Sequence, residues 1–241
     1  MGTRLMPITA NIPKCLVRLK GKTILEWQIE AARSIGINDI VVITGFRSEA
    51  IQIPDITKVH NPQYENSNMV YSLFCAEPVM KSEFVISYGD IVYSPKILSR
   101  LTTCKAPISV VVDDEWKEYW NERFDDPLED AESLKITNGS IYSIGQKPND
   151  INEIESQYIG LTCIKPSGKQ QFLDTYKNFN ERNPTSARHL YMTDLLQMLA
   201  DQLINLTPVH VNRGWIEIDS LNDLSIAEKH FHTVISNEKS L

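Results

Sequence analysis

The stretch CLVRLKGKTILEWQIEAARSIGINDIVVITG, residues 15–45, decides the fold class. Residues 15–19 are apolar enough for a short strand. Thr23-Ile24-Leu25-Glu26 has capping-box spacing, in which the Thr hydroxyl and the Glu carboxylate each satisfy a backbone N–H of the first helical turn. The helix so opened puts Leu25, Ile29 and Ala32 on one face and stops at Gly36. Asp39-Ile40-Val41-Val42-Ile43-Thr44-Gly45 then reads as a fully buried strand. A strand–helix–strand unit of about thirty residues predicts a parallel pair with a right-handed crossover.

Working outward, residues 57–61, 84–88 and 108–112 read as further strands, and 69–80 as helical in its first half. Past Asp114 the pattern changes. Residues 116–120 are aromatic and polar, and 124–130 are acidic with a proline. Asn138-Gly139 suits a type I′ turn between strands at 133–137 and 140–145. Another strand spans 158–164, helices lie near 168–179 and 189–203, and short strands at 208–212 and 215–218 precede a last helix capped at Ser220. The expected architecture is α/β. A mixed, mostly parallel sheet is flanked by helices in a single domain over residues 1–241, with an inserted β-hairpin region at about 114–160 on the acceptor side.

Composition narrows the function. A chain of 241 residues can bury a substantial core, and its net charge of −7 argues against a nucleic-acid surface. No apolar run reaches the roughly 18 residues of a membrane span, and the N-terminus lacks a signal-peptide core. Cys15, Cys75, Cys104 and Cys163 show no C-x-x-C spacing, which suits free thiols in a reducing compartment, so a cytoplasmic location is expected.

Chemistry-bearing residues concentrate at strand ends and in the first fourteen positions. Gly2-Thr3-Arg4 supplies small residues for close backbone approach to phosphate and a planar cationic fork, and Lys14 adds a compact charge. The bland alternative is an exposed basic loop. Gly89-Asp90 ends a predicted strand on the edge where open α/β sheets bind ligands, so Asp90 is a candidate Mg²⁺ carboxylate, or else a solvated loop residue. Asp219 has a similar place after Trp215-Ile216-Glu217-Ile218, with helix capping as its alternative. Asn68 and Ser72 can read a pyrimidine edge by hydrogen bonds, or merely cap a helix. Trp116, Tyr119 and Trp120, with Glu129, Asp130 and Glu132, combine aromatic faces and carboxylates that suit an ammonium group. Ordinary packing is the competing explanation.

Gly2-Thr3-Arg4-Leu5-Met6-Pro7-Ile8-Thr9 followed by Pro13-Lys14 resembles the signature loop of the nucleotidyltransferases that make NDP-sugars and CDP-alcohols. The segments Asn68-Met69-Val70-Tyr71-Ser72, 114–132 and Tyr191-Met192-Thr193-Asp194 resemble the phosphocholine and phosphonate-associated cytidylyltransferase branch. The resemblance implies a Rossmann-like nucleotidyltransferase fold, CTP and Mg²⁺. It implies CMP transfer to a phosphocholine-, aminoethylphosphonate- or phosphoamino-acid-like acceptor with release of pyrophosphate, serving cell-surface polysaccharide biosynthesis. Arg4 and Lys14 are then catalytic, and Gly2, Thr3, Arg4, Asn68, Ser72 and Gly89 bind nucleotide. Trp116, Tyr119, Trp120, Glu129, Asp130 and Glu132 bind the acceptor, and Asp90 and Asp219 bind metal. No nucleic-acid or membrane partner is expected, and a homo-oligomer is compatible with the sequence. Two other readings stand beside this one, a sugar-1-phosphate nucleotidyltransferase using UTP or dTTP and a non-catalytic nucleotide-binding module. In the family a strand and a glycine loop precede the arginine. The natural protein is therefore expected to begin roughly ten residues upstream, enough for one strand and its loop, or another segment must fill that place in the sheet.

Overall fold

The computed structural model describes residues 3–235. Strands β1 (Arg18–Leu19) and β2 (Lys22–Thr23) form a small antiparallel hairpin turned by Lys20 and Gly21, both at positive φ. Helix α1 (Ile24–Ser34) follows directly. Its capping box is complete, with Glu26 N–H donating to Thr23 Oγ1 and Thr23 N–H donating to Glu26 Oε2. Gly36 ends it at φ +87°, a left-handed turn that a Cβ would strain. Next come β3 (Val41–Thr44), β4 (Thr57–His60), α2 (Met69–Cys75), β5 (Phe84–Ser87), β6 (Ile91–Tyr93), α3 (Pro95–Thr103) and β7 (Ile108–Asp113). Helix α4 (Trp116–Arg123), the hairpin β8 (Leu134–Thr137) and β9 (Ser140–Ile144), and β10 (Gln157–Ile164) form the middle of the chain. Helices α5 (Pro166–Arg182), α6 (Pro184–Ala187) and α7 (Met192–Asp201), strands β11 (Leu206–Val211) and β12 (Trp215–Glu217), and α8 (Leu221–Ile235) complete it.

The main sheet has the order β11-β7-β10-β5. Strands β5, β7 and β11 run one way and β10 alone runs against them, so the sheet is mixed. Side chains of β7 alternate between two cores, the pattern of a sheet covered on both faces. Val111 packs with Trp116, Trp120 and Trp215 on one side, while Ile108, Val110 and Val112 meet Phe172, Leu195 and Leu199 on the other. Each such aliphatic residue contributes about 1.5–3 kcal/mol by leaving water. Residues of the 114–160 region join both cores, Ala131 and Ile154 the first, Leu134, Ile141 and Ile144 the second.

Several expectations are corrected. The strand read at 15–19 shrinks to β1, which pairs with β2 and not with β3; the parallel partner of β3 is β4. Strand β3 is not fully buried, and Val41 is 36% exposed. Among the described residues β3 pairs only with β4, and β5 only with β10, so each keeps one open edge. Strand β6 and helix α3 were not anticipated, and residues 116–120 belong to a helix. The Asn138-Gly139 turn matches expectation, with φ of 50° and 74°. Among the described residues no helix is long and apolar enough to cross a membrane.

Candidate functional site

Lys14 is the hub of a charged cluster. Its Nζ donates to Asp90 Oδ2 at 2.7 Å and to Asp219 Oδ1. The Arg4 guanidinium pairs with Asp219 Oδ2, and its Nη1 lies 3.9 Å from Asp130 Oδ1. The fold makes this convergence. Asp90 sits in the turn from β5 to β6, where Gln28 of α1 donates its amide to the carbonyls of Tyr88 (2.6 Å) and Ile91 (2.7 Å). Strand β12 pairs antiparallel with β6, and Ile218 N–H donates to the Asp90 carbonyl at 2.9 Å. That register brings Asp219 beside Asp90. The N–H groups of Asp219 and Ser220 then donate to Asp223 Oδ2 in the first turn of α8, at 3.1 and 2.8 Å.

The donor set fits Mg²⁺. This ion is commonly held by one or two carboxylates, with substrate phosphates and water completing its shell. Asp90 Oδ1 is buried with no hydrogen-bond partner, an oxygen desolvated at a cost that only a ligand or solvent would recover. Among the described residues no cluster of three or more acidic, His or Cys side chains forms a self-contained metal cage.

A cavity of about 170 Å³ adjoins this cluster. Ile91 and Glu217, close in the chain to Asp90 and Asp219, line it, as does Asp130 beside Arg4. Its polar wall is Asp130, Glu132, Glu217, Gln157 and Thr193; its aromatic wall is Tyr88, Trp120, Tyr158, Tyr191 and Trp215. Among the described residues no lysine or arginine lines it. Gly160 holds φ +85°, and a Cβ there would stand 2.6 Å from the Tyr88 ring, so this glycine gives Tyr88 its place. Burial, with Asp130 and Asp194 nearby, pushes the Glu132 carboxyl up to about 7, against a hydrogen bond with Thr193. Burial likewise raises Glu217, opposed by Arg123.

Of the anticipated acceptor residues, Trp120, Asp130 and Glu132 line the cavity, and Trp116, Tyr119 and Glu129 do not. Four residues apart on α4, Trp116 and Trp120 share one face. Trp116 is buried against Trp120 with ring centroids 5.9 Å apart. The Tyr119 hydroxyl accepts from Glu217 N–H at 2.9 Å and contacts its carbonyl at 3.2 Å, so it braces β12. Glu129 is exposed. Asn68 and Ser72 both have protein partners. Asn68 Nδ2 donates to the His189 carbonyl at 2.8 Å, and Ser72 Oγ accepts from Asn61 Nδ2 at 2.8 Å. Gly89 is exposed next to Asp90, with room for a Cβ at 3.9 Å from Cys15. Thr3 starts a 3₁₀ turn, Thr3–Leu5, and Gly2 lies outside the described residues. Sequence reasoning missed Tyr88, Gln157, Tyr158, Tyr191 and Thr193 in the cavity. For Gln157 and Tyr158 the placement rests on strand direction, which no short-range signal gives. An antiparallel β10 starts beside the C-terminal end of β7, with Gln157 opposite Asp113.

Comparison with known proteins bears on the same features. A family model described as the MobA-like NTP transferase domain matches residues 1–205. A CTP:phosphoglutamine cytidylyltransferase of Campylobacter jejuni is 37% identical over 239 residues, covering 93% of this chain and 94% of that protein. A choline-phosphate cytidylyltransferase of Streptococcus pneumoniae is 33% identical over 106 residues, 42% of this chain and 46% of that one. The inositol-1-phosphate CTP transferase of T. maritima superimposes with a TM-score of 0.76 at 20% identity, covering 100% of this chain and 94% of that chain.

Proposed function

This chain belongs to the MobA-like NTP transferase domain family, and we propose that it transfers the CMP moiety of CTP to a small, ammonium-bearing phosphorylated or phosphonate acceptor. The observation that carries this is that Arg4, Lys14, Asp90 and Asp219 stand beside a cavity lined by three carboxylates and, among the described residues, by no lysine or arginine. An acceptor oxygen attacks the α-phosphorus in line. The new P–O bond forms as the bond to the β-phosphate breaks, and pyrophosphate leaves with its electron pair. Arg4 meets the departing pyrophosphate, and Lys14 neutralises charge on the oxygens of the reacting phosphates. Asp90 and Asp219 would hold Mg²⁺, which when bound supplies positive charge at the phosphates. Trp120, Tyr88 and Tyr158 offer ring faces to the acceptor ammonium, and Glu132 and Glu217 offer charge. Phosphoglutamine and phosphocholine, named for the relatives, both carry such a nitrogen. A cytoplasmic role in cell-surface polysaccharide biosynthesis belongs to the same proposal.

The test is pyrophosphate release with CTP, UTP, dTTP and ATP, each against phosphocholine, 2-aminoethylphosphonate, phosphoglutamine and a neutral phosphoalcohol. CTP with a cationic acceptor is expected to dominate; equal rates with the neutral acceptor would defeat the pocket assignment. Glu132 adds a pH signature. Its carboxyl titrates at about 7, so affinity for a cationic acceptor is expected to fall as pH drops through that value and the negative charge is lost. The neutral phosphoalcohol carries the same phosphate and serves as the control for phosphate ionisation. Glu132→Gln should remove the acidic limb of acceptor KM; an unchanged limb would assign it elsewhere.

A further inference from the structure

We infer that Arg123 is a positioning residue that couples the acceptor cavity to the Asp219 carboxylate, an inference that rests on the cytidylyl-transfer reading above. Arg123 ends α4, and its side chain is 0% exposed. Nε donates to Asp223 Oδ1 at 2.8 Å, and Nη1 lies 2.5 Å from Glu217 Oε2, an ion pair outside hydrogen-bond angles. The guanidinium carbon stands 5.3, 5.1 and 5.0 Å from the ring centroids of Tyr119, Trp120 and Phe124. Those rings enclose a rigid planar fork that a flexible ammonium would not reproduce.

Each acidic partner of Arg123 reaches a different part of the site. Glu217 lines the cavity. Asp223 spends its other oxygen on the N–H groups of Asp219 and Ser220, and so sets the backbone that presents Asp219 to Lys14. Neither Arg123 nor Asp223 lines the cavity itself, so both act through these neighbours. A buried guanidinium is expensive to desolvate, and an apolar side chain among the same rings would cost less. The cation is explained by what it holds. Without it, Glu217 would join Glu132 as a carboxylate with no cation beside it, and Asp223 would lose the partner that fixes the carboxylate holding the Asp219 and Ser220 N–H groups.

The experiment compares Arg123→Lys, Glu217→Gln, Asp223→Asn and the Arg123→Lys/Glu217→Gln double variant by steady-state kinetics and thermal melting. Arg123→Lys keeps the charge and loses the fork. It is expected to raise acceptor KM about tenfold and lower kcat about tenfold, with the KM for CTP within about twofold of wild type. Asp223→Asn should lower kcat with little change in acceptor KM. In the Glu217→Gln background, Arg123→Lys should add nothing further to acceptor KM yet still lower kcat. Additive effects on acceptor KM would overturn the coupling. So would an Arg123→Lys enzyme whose kcat falls only in proportion to its folded fraction while both KM values stay put. A wild-type protein that released no pyrophosphate from CTP with any cationic acceptor would defeat the functional reading instead.

Discussion

Asp90→Asn and Asp219→Asn should each lower CTP turnover by about 10³-fold, the loss expected when charge aimed at a reacting phosphate is removed. Neither should unfold the protein. The Asp90 and Asp219 side chains are 24% and 16% exposed and belong to no apolar cluster. The backbone N–H groups that shape the site, Ile218 donating to the Asp90 carbonyl and Asp219 donating to Asp223 Oδ2, keep their acceptors in either variant. Asp90 makes the sharper case. One of its oxygens is buried with no hydrogen-bond partner while the other binds Lys14, so the carboxylate carries a desolvation cost at one atom. Removing that charge is expected to leave Tm unchanged or raised while activity disappears, the trade-off seen where a site is kept strained for function. Thermal melting and pyrophosphate release on the same preparations check both halves. A lowered Tm with retained turnover would make Asp90 structural.

The outline of this site was legible because its parts are local in sequence. The capping box at Thr23 and Glu26, the positive-φ turn at Asn138-Gly139 and the valine-rich run of β7 are short-range signals. Asp90 and Asp219 were found as carboxylates at predicted strand ends, and the sheet brings them together. Strand β6 escaped because three residues directly after a turn carry no periodicity, although Ser94-Pro95 does mark the start of α3. Tyr88, Gln157 and Tyr158 escaped for a different reason. They reach the cavity through the reversed direction of β10 and the bare backbone of Gly160, which depend on pairing between distant segments. Trp116 and Tyr119 show the limit of composition as a guide. An aromatic cluster was visible, but only α4 decides that Trp120 reaches the cavity while Trp116 fills the core and Tyr119 braces β12.

The second large effect belongs to Lys14. An ammonium carries three donors; here Asp90 and Asp219 take two, and the third remains for a phosphate oxygen. Lys14 therefore need not leave its carboxylates to act, and its 18% exposure means its charge is weakly screened. Lys14→Ala is expected to lower kcat by about 10²–10³-fold, roughly 3–4 kcal/mol, with the KM for CTP changed only a few-fold. Lys14→Arg should not rescue it, because a planar fork cannot bridge two carboxylates and a phosphate as a compact charge does. Arg4 is 57% exposed and reaches in from a surface loop. Arg4→Ala should therefore raise the KM for CTP and lower kcat together, and by less. Steady-state kinetics with saturating acceptor separate the two cations. Near-normal turnover in Lys14→Ala would mean that Lys14 only neutralises Asp90 and Asp219, and that Arg4 alone serves the phosphates.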